Sequence, residues 1–568
     1  MGKTFTQRLQ ELYQDAPERH AIHLLFNRQP DLSLTYRDIL HGSAGYARAM
    51  QQAGIQPGEV VILILEHGKD LLFAFYGAIL HGAVPSIMPF LTEKLSPDKY
   101  REALAALFDI TAPSAVITYA EFQAEVERAI RPGSTVRAVL VSDQVHPDGA
   151  IDFSSLGGLQ CNPEDVVLLQ HSSGTTGLQK GVALSHQAVF NQIESYAEAI
   201  QLTSEDIIVS WLPLYHDMGL IAGFIMPLLA GVPLVLMSPF DWVRAPYKLL
   251  QAISKYRGSL TWLPNFAYNF CAQKIRERDL EGVDLSSWRA VINCSEPMHW
   301  KSHQLFSQRF EKFNLSPAAL ATCYAMAENV FAVTQGGIDE PVVVDRISQP
   351  AFLNEGKAQP CRDGDQEMIL LSAGRPIRGT EVCVLDDKME AAPDRQLGEI
   401  ALRSNCVLTG YYNRPDLTSK AFHDGWYLTG DLGYLADGEL YVTGRKKDLI
   451  IVGGKNVYPQ DLERLASEVP GVHPGRVVAF GVFNEDTGTE DVVIIAERQA
   501  PDDNVESSLD SYQIADDVRR RVTHSSDIAL RYVKIVERGW LLKTSSGKMA
   551  RSANREKYLA ELAIEGEG

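Results

Sequence analysis

The sequence predicts an α/β protein: a large domain of two doubly wound αβ subdomains and a small β-barrel subdomain, followed by a small mobile α+β domain. Short apolar runs alternate with helical patterns up to about residue 300, as expected of parallel strands joined by helices. From about Leu371, short strands punctuated by glycine and aspartate indicate an antiparallel barrel or sheet. A mixed pattern of predicted strands and helices returns after Lys447, so we place the domains at 1–446 and 447–568.

The candidate buried strands of the large domain share a high content of Val, Ile and Leu. They are 59–65, 82–90, 114–118, 137–142, 207–212, 231–240 and 289–294. Two of them, 82–90 and 231–240, each follow an apolar helical stretch and end in Pro-Phe. A pattern present in two copies indicates two similar subdomains rather than a solenoid.

One apolar run, Leu220 to Met237, is long enough to span a membrane and carries no charge. The residues that interrupt it are Pro227, Gly231 and Pro233. It therefore predicts a buried helix, a tight turn and a strand, and we expect no stable membrane insertion. Peripheral membrane binding is an alternative that depends on this run and on Gly2, which with Thr6 matches a loose myristoylation pattern.

Composition restricts the class of partner. The chain has 568 residues, 45% of them apolar, which is typical of folded globular proteins. Its formal charge of −19 argues against nucleic acid, because phosphate backbones are bound by an excess of lysine and arginine. Seven cysteines without paired spacing indicate neither a zinc site nor a disulfide framework. Since no export signal is recognisable either, we predict a cytoplasmic protein.

A loop rich in glycine and hydroxyl residues extends from Ser172 to Gly181, between a predicted strand and a predicted helix that begins near Ser185. Backbone N–H groups of such a loop can converge on phosphate oxygens, and Lys180 adds charge. It is not a Walker A motif, because Gly181 stands where that motif needs a hydroxyl residue after the lysine. The alternative is a plain surface loop, since turns favour the same residues.

Five further motifs accompany this loop in a fixed order. The six segments are 172–182, 211–220, 323–329, 427–435, 441–450 and 543–551. In their residues, order and spacing they resemble the adenylate-forming ligases, the superfamily of acyl-CoA synthetases, nonribosomal-peptide adenylation domains and luciferases. The resemblance extends over nearly the whole chain, and it implies ATP and Mg²⁺ as cofactors.

Within that superfamily the chain is most similar to the fatty acyl-AMP ligases. The segments WLPNFAYNFCAQKI at 262–275 and CSEP at 294–297 carry this likeness. The run 338–371, which is 34 residues long, resembles the insertion that disfavours transfer to CoA in this subfamily. Its sequence is polar and irregular, so the alternative is a variable surface loop.

The resemblance implies a two-step reaction. ATP first activates a fatty or other hydrophobic carboxylic acid as acyl-AMP and releases pyrophosphate. The acyl group then passes to the phosphopantetheine thiol of an acyl carrier protein. One alternative is an acyl-CoA ligase that uses the same adenylate, and another, from a different class, is a non-catalytic nucleotide or acyl sensor.

The resemblance also implies which residues bind the nucleotide and the metal. The set expected at the β- and γ-phosphates is Ser172, Ser173, Gly174, Thr175, Thr176 and Lys180. The set expected around the adenine is Tyr324, which would stack on it, with Ala325, Ser295, Glu296 and Pro297. Asp431 and Arg445 are expected at the ribose, because a carboxylate suits two vicinal hydroxyls. Glu328, with Thr176 nearby, is the expected Mg²⁺ ligand.

Lys548 is the expected catalytic lysine, on a mobile C-terminal loop, and Lys543 is the competing candidate. His216 matches a position that lines the carboxylate site and gates the acyl pocket. Lys447 matches the hinge about which the C-terminal domain rotates between the two steps. For the acyl pocket itself the candidates are Leu220, Phe224, Phe266 and Phe270, which are equally suited to the core.

Overall fold

The computed structural model describes residues 2–90, 97–147, 151–172, 180–452, 455–484, 489–499, 510–526, 530–544 and 548–566. Up to residue 337, strands and helices alternate as the sequence predicts. The strands are β1 (His20–Leu25), β2 (Leu32–Thr35), β3 (Val60–Ile64), β4 (Val84–Ile87), β5 (Ala115–Thr118), β6 (Ala138–Val141), β7 (Val166–Ser172), β8 (Lys180–Ser185), β9 (Ile208–Ser210), β10 (Leu234–Met237), β11 (Leu260–Leu263), β12 (Ala290–Asn293), β13 (Leu320–Ala325) and β14 (Ala332–Gly336). The helices are α1 (Phe5–Asp15), α2 (Tyr36–Gln52), α3 (Lys69–His81), α4 (Pro97–Thr111), α5 (Gln123–Ala129), α6 (His186–Ala199), α7 (Met226–Ala230), α8 (Pro239–Arg244), α9 (Tyr247–Tyr256), α10 (Asn265–Lys274) and α11 (Trp300–Phe310).

The rest of the described chain is richer in strands. Its middle part contains β15 (Val344–Ser348), α12 (Gln349–Glu355), β16 (Glu367–Leu371), β17 (Arg375–Pro376), β18 (Thr380–Leu385), β19 (Gly398–Ser404), β20 (Gly410–Tyr411), α13 (Pro415–Lys420), β21 (Phe422–His423), β22 (Trp426–Ala436) and β23 (Glu439–Arg445). Its last part contains β24 (Ile450–Val452), β25 (Lys455–Val457), α14 (Pro459–Ser467), β26 (Val472–Asn484), β27 (Thr489–Arg498), α15 (Ser511–Ser526), β28 (Tyr532–Val536) and α16 (Arg551–Gly566).

Two sheets with parallel cores confirm the doubly wound prediction. One has nine strands in the order β17-β14-β13-β12-β11-β9-β10-β1-β2, and the other has four in the order β4-β3-β5-β6. The strands β18, β19, β22, β21 and β23 form the expected antiparallel sheet, and β26, β27 and β28 form a separate sheet near the C-terminus. The fold class predicted from the sequence is therefore confirmed.

The two Pro-Phe repeats meet in space. Each follows a helix that ends at a glycine with left-handed backbone, Gly82 at φ 88° and Gly231 at φ 79°, before the strands β4 and β10. The rings of Phe90 and Phe240, which end the two repeats, lie 5.5 Å apart between centroids. The repeat predicted from the sequence thus corresponds to two subdomains whose matching ends are in contact.

The apolar run at 220–237 folds as expected, with one correction. A π-helical stretch, Met218–Ile225, continues into α7 and ends at Gly231. Pro227 does not interrupt it, because the proline lies in the first turn of α7, where its missing N–H is not needed. Phe224 is fully buried against Phe75, so this helix belongs to the core. Within the described ranges, no helix has the length and apolar character needed to cross a membrane.

The segment 338–371 is an ordered element rather than an irregular polar loop. It forms the strands β15 and β16, paired antiparallel, with α12 after the first of them. Ile347 and Phe352 are buried in a cluster with Tyr434 and Tyr458. The Phe352 and Tyr458 rings stack with centroids 5.9 Å apart. The insertion therefore packs against a residue that lies beyond the predicted hinge.

A buried ion pair anchors the same segment to the antiparallel sheet. The Asp345 carboxylate accepts hydrogen bonds from the Arg395 guanidinium and the Tyr434 hydroxyl, both at 2.9 Å. Residues from Ile450 onward have a hydrophobic core of their own. This separate core agrees with a domain boundary near Lys447, which stays a prediction.

Candidate active site

The candidate site lies at one edge of the nine-stranded sheet. The neighbouring strands β9, β11, β12 and β13 are parallel, so their carboxyl ends meet at that edge. His216 lies beyond the end of β9, Ser295 follows β12, and Tyr324 belongs to the last residues of β13. In open α/β sheets, ligands bind outside the carboxyl ends of the strands.

The predicted phosphate-binding loop connects two paired strands. Ser172 at the end of β7 pairs with Lys180 at the start of β8, and β20 lies on the other side of β8. The loop therefore continues into a strand and not directly into a helix, because α6 begins only at His186. The predicted ligands that lie outside the described residues are Ser173, Gly174, Thr175 and Thr176.

Lys180 contacts a tyrosine that sequence reasoning missed. Its ammonium lies 4.7 Å from the centroid of the Tyr411 ring, within range of a cation–π interaction. The Tyr411 hydroxyl donates a hydrogen bond to Oε1 of Glu328 at 2.9 Å and lies 2.9 Å from the Tyr427 hydroxyl. One tyrosine thus links the phosphate-loop lysine to the predicted metal ligand.

Glu328 is a half-buried carboxylate that accepts a hydrogen bond from Tyr411 and lies near the charge of Arg445. It lies in a short turn after β13, and its backbone carbonyl accepts a hydrogen bond from Leu408 at 2.8 Å. Burial raises the pKa of Glu328 above its usual value, and the nearby charge of Asp217 acts in the same direction. A cation would remove this cost. Within the described ranges no three acidic, histidine or cysteine side chains cluster as a metal site, so nucleotide oxygens would have to complete the shell.

Tyr324, Asp431 and Arg445 form one connected group. The Tyr324 hydroxyl donates to Oδ2 of Asp431 at 2.6 Å, and Nε of Arg445 lies 3.1 Å from Oδ1. Asp431 and Arg445 face each other across β22 and β23. Ala325 ends β13 without a positive φ, so its backbone is unstrained.

The segment after β12 is also close to the site, although its side chains point to different partners. Ser295 has left-handed backbone at φ 69°, which is unusual for a residue other than glycine. Its hydroxyl lies 3.8 Å from the sulfur of Met218. The Glu296 carboxylate accepts a hydrogen bond from the Phe266 backbone N–H at 3.0 Å, and Pro297 is exposed.

His216 is held by its neighbour Asp217, a residue that sequence reasoning missed. Nδ1 of His216 lies 2.6 Å from Oδ1 of Asp217, and the same oxygen accepts the Met218 N–H at 2.8 Å. Burial alone would raise the pKa of Asp217, but the His216 ring, the Lys548 ammonium and the Met218 N–H hold it below its usual value. The position of Asp217 directly before an apolar helix was the available signal, because aspartate is a preferred N-cap.

Lys548, near the far end of the chain, is one of the charges that lower the pKa of Asp217. Its backbone carbonyl accepts a hydrogen bond from the Thr544 N–H at 2.8 Å. The competing Lys543 is exposed, whereas Lys548 is half-buried. The effect of the Lys548 charge on Asp217 favours Lys548 as the lysine of the site.

The predicted hinge residue Lys447 lies in a short turn, Lys446–Asp448, directly after β23. Burial, followed by the charge of Arg445, lowers the pKa of Lys447. Arg551 at the start of α16 donates to Asp448 at 2.8 Å and to Glu463 at 2.8 Å. The C-terminal helix is thus tied to the residues on both sides of β24 and β25.

The four candidate acyl-pocket residues separate into two groups. Leu220 and Phe224 belong to the core. Phe266 is 43% exposed, and with Phe270 it surrounds a stacked pair, Trp211 and Trp242, whose ring centroids are 3.6 Å apart. The apolar surface next to the site is therefore aromatic.

Residues 9–412 match the model of the AMP-binding enzyme family. The medium-chain-fatty-acid acyl-carrier-protein ligase JamA of Moorena producens (strain JHB) is 30% identical over 96% of this chain and 93% of its own. The long-chain-fatty-acid AMP ligase FadD26 of Mycobacterium marinum is 29% identical over 93% of this chain and 92% of its own.

Two solved structures share the fold. One, from a study of fatty acyl-adenylate ligases from E. coli and L. pneumophila, has a TM-score of 0.88 at 25% identity and covers 99% of this chain and 98% of its own. Another, a fatty acyl-adenylate ligase from L. pneumophila in complex with acyl adenylate and pyrophosphate, has a TM-score of 0.73 at 28% identity over 98% and 96% of the two chains. The fold and the site define the class as that of the AMP-forming ligases. The chain belongs to the AMP-binding enzyme family.

Proposed function

We propose that the chain is a fatty acyl-AMP ligase that activates a fatty acid with ATP and transfers the acyl group to an acyl carrier protein. The observation that carries the proposal is the connected group of Tyr324, Asp431 and Arg445 at the edge of the parallel sheet, where a nucleotide would bind. The Lys548 charge, which acts on Asp217 beside His216, supports Lys548 as the catalytic lysine. Relatives that are similar over their full length and named as ligases support the same activity and do not favour a non-catalytic sensor.

The adenine and ribose of ATP would bind at the connected group on β13, β22 and β23. Asp431 accepts hydrogen bonds from the two ribose hydroxyls, and Arg445 supports its charge. The Tyr324 ring stacks on the adenine, with Ala325 and the segment from Ser295 to Pro297, which includes Glu296, around it. A carboxylate that already accepts one short hydrogen bond from Tyr324 is oriented before ATP arrives.

The phosphate end of ATP is bound by the loop between β7 and β8. Lys180 supplies charge there, together with the predicted loop residues Ser172 to Thr176. Glu328 would bind Mg²⁺, which prefers one or two carboxylates together with phosphate oxygens. The metal would neutralise phosphate charge during the reaction. Tyr411 keeps the Glu328 carboxylate in place through its 2.9 Å hydrogen bond.

The bond-forming step joins two anions, the fatty carboxylate and the α-phosphate. Water opposes this approach, so the chain contributes mainly placement and positive charge. Lys548 meets the charge that develops between the two groups, and His216 lines the carboxylate side. Pyrophosphate leaves toward the loop that ends at Lys180.

The second step transfers the acyl group to the phosphopantetheine thiol of the carrier. Rotation about Lys447 would withdraw Lys548 and bring the following segment to the site. The alternative acceptor is CoA, but the insertion packs Phe352 on Tyr458 beyond the hinge, which supports the carrier-dependent subfamily. Seven free cysteines, all within the described residues, agree with a reducing compartment such as the cytoplasm.

The proposal is tested with purified chain, ATP, Mg²⁺ and dodecanoate. We expect pyrophosphate release and acyl-AMP without an acceptor, and acyl transfer when a holo carrier protein is added but not when CoA is added. Efficient acyl-CoA formation would assign the chain to the CoA ligases. A series of acids of increasing length, followed by pyrophosphate release, would identify the substrate.

A further inference from the structure

We propose that Asp217 is a positioning residue for adenylate formation, which fixes the ring of His216 and supplies a negative charge that acts on Lys548. The inference rests on the proposed function and extends it to a residue that the six motifs do not single out. Three observations carry it: a short hydrogen bond, a helix cap and the burial of a charged carboxylate. Each concerns the contacts of Asp217 in the described part of the chain.

The first observation fixes the tautomer of His216. Nδ1 of the ring and Oδ1 of Asp217 are 2.6 Å apart, so Nδ1 carries the proton and donates it to the carboxylate. Nε2 is then the ring nitrogen that does not contact Asp217. A carboxylate that orients an imidazole in this way is a recurrent device in catalytic sites. The Asp217 carboxylate does not itself need to touch the acid.

The second observation explains why the carboxylate stays in place. Asp217 caps the helical stretch Met218–Ile225, and Oδ1 accepts the Met218 N–H at 2.8 Å. The positive end of a helix stabilises a negative charge at this position. The same oxygen therefore holds the helix and the ring, and the geometry of His216 is coupled to the start of the helix.

The third observation concerns Lys548. Only 10% of the Asp217 side chain is exposed, and a buried charge is costly unless a cation is near. The charge of the Lys548 ammonium stabilises the ionised Asp217, and the Lys548 backbone N–H donates to the Thr544 hydroxyl at 3.2 Å. Rotation of the C-terminal domain would remove this cation and leave His216 as the partner. Asp217 thus favours the arrangement in which Lys548 is at the reaction centre, which is needed for the first step alone.

The test separates the two steps. Asp217→Asn keeps an acceptor for Met218 but removes the charge. We expect pyrophosphate release with dodecanoate to fall about 10- to 100-fold, the range typical of a lost electrostatic contact in a catalytic site. Transfer from synthetic dodecanoyl-AMP to the holo carrier should stay within about threefold of wild type, because it does not use Lys548. Asp217→Glu, which restores a carboxylate, should recover part of the first step.

A double-substitution cycle gives a second, independent readout. Because Asp217 acts partly through Lys548, Asp217→Asn in the Lys548→Ala background should lower adenylation by about threefold or less. The matched control is Asp206→Asn, another buried carboxylate, which is held by Arg289 away from the site. It should lower both steps equally, through loss of folded protein.

Two results would overturn the inference: an equal loss of both steps in Asp217→Asn, or fully additive effects with Lys548→Ala. A wild-type chain that forms no acyl-AMP would instead overturn the proposed function, and the two failures are therefore distinguishable.

Discussion

The hydroxyl of Tyr324 donates a 2.6 Å hydrogen bond to Asp431, although the two residues are 107 positions apart. This bond joins the edge of the parallel sheet to the antiparallel sheet. It occupies one oxygen of a carboxylate whose other oxygen lies 3.1 Å from Arg445. The carboxylate is thus oriented by protein groups alone, and it is ready to accept hydrogen bonds from a ligand.

If Asp431 accepts the ribose hydroxyls, it should distinguish ATP from 2′-deoxy-ATP. Hydrogen bonds to a charged group contribute about 1.5–3 kcal/mol, so we expect wild type to use 2′-deoxy-ATP about 10- to 100-fold less efficiently. Asp431→Asn should lose most of this preference. The comparison of kcat/KM for both nucleotides checks it, and an undiminished preference in the variant would place the ribose elsewhere.

The two C-terminal lysines provide a matched pair. Lys548→Ala should lower pyrophosphate release by about 100-fold or more, because it removes positive charge at the developing bond. Lys543→Ala, which removes an exposed side chain, should change the rate by less than about threefold. Pyrophosphate release measured for both variants decides between them. The reverse order would show that Lys543 is the catalytic lysine.

Glu328 and Tyr411 should affect the metal to different degrees. We expect Glu328→Gln to raise the Mg²⁺ concentration for half-maximal rate more than tenfold. Tyr411→Phe removes only the hydrogen bond to the Glu328 carboxylate and should raise this Mg²⁺ concentration by less, within about 10-fold. ATP binding measured by calorimetry at several Mg²⁺ concentrations is the readout that does not depend on turnover. Variants with unchanged Mg²⁺ dependence would exclude this carboxylate as the ligand.

The stacked pair of Phe352 and Tyr458 should contribute to acceptor choice. Phe352→Ala removes a fully buried ring, and the expected loss is about 3–5 kcal/mol of stability in that part of the chain. If the insertion limits rotation about Lys447, the variant should also form more acyl-CoA relative to acylated carrier protein. Product ratios at saturating CoA and carrier measure this effect. Leu397→Ala, in the same cluster, is the packing control and should leave the ratio unchanged.

His303 provides a pH-dependent prediction. Burial lowers its pKa to about 4, from an ordinary value near 6.5. As the pH falls, His303 is protonated in the unfolded chain at a higher pH than in the folded chain. The stability contribution of the neutral ring is therefore complete above about pH 6.5 and is lost as the pH falls toward 4. When the pH is lowered from 7.5 to 5, the free energy of unfolding should fall by about 2 kcal/mol less in His303→Gln than in wild type. Thermal unfolding midpoints across this range test the slope, and parallel curves would contradict the assignment.

Many buried strands of the large domain could be predicted from the sequence because such strands are dense in branched apolar residues, as in 59–65 and 289–294, but their order in the sheets was not predicted. The strand β8 was missed although it pairs directly with β7, because only the short run 182–184 is apolar between the predicted loop and the predicted helix. The ordered structure of the insertion was missed because its packing partners are distant in the chain. Its apolar residues are few, and Phe352 finds its partner only at Tyr458.

Glu328 and Lys548 were predicted because a motif carried them, and their roles stay predictions. Tyr411 lies outside the six motifs, and Asp217, which lies within the segment 211–220, was assigned no role. A tyrosine in a strand or an aspartate before a helix fits an ordinary structural role, and only the contacts with Glu328 and His216 reveal another. Such contacts depend on the packing of distant segments, which no local pattern encodes.

The pairing of Ser172 with Lys180 also has a practical consequence for engineering. Because Ser172 and Lys180 are paired across β7 and β8, the segment 173–179 begins and ends at neighbouring positions of one sheet and can be exchanged as a unit. A seven-residue segment from a relative could be exchanged for it without altering the register of β7 and β8. Contacts to the phosphates could then be varied independently of the adenine, ribose and acyl parts of the site.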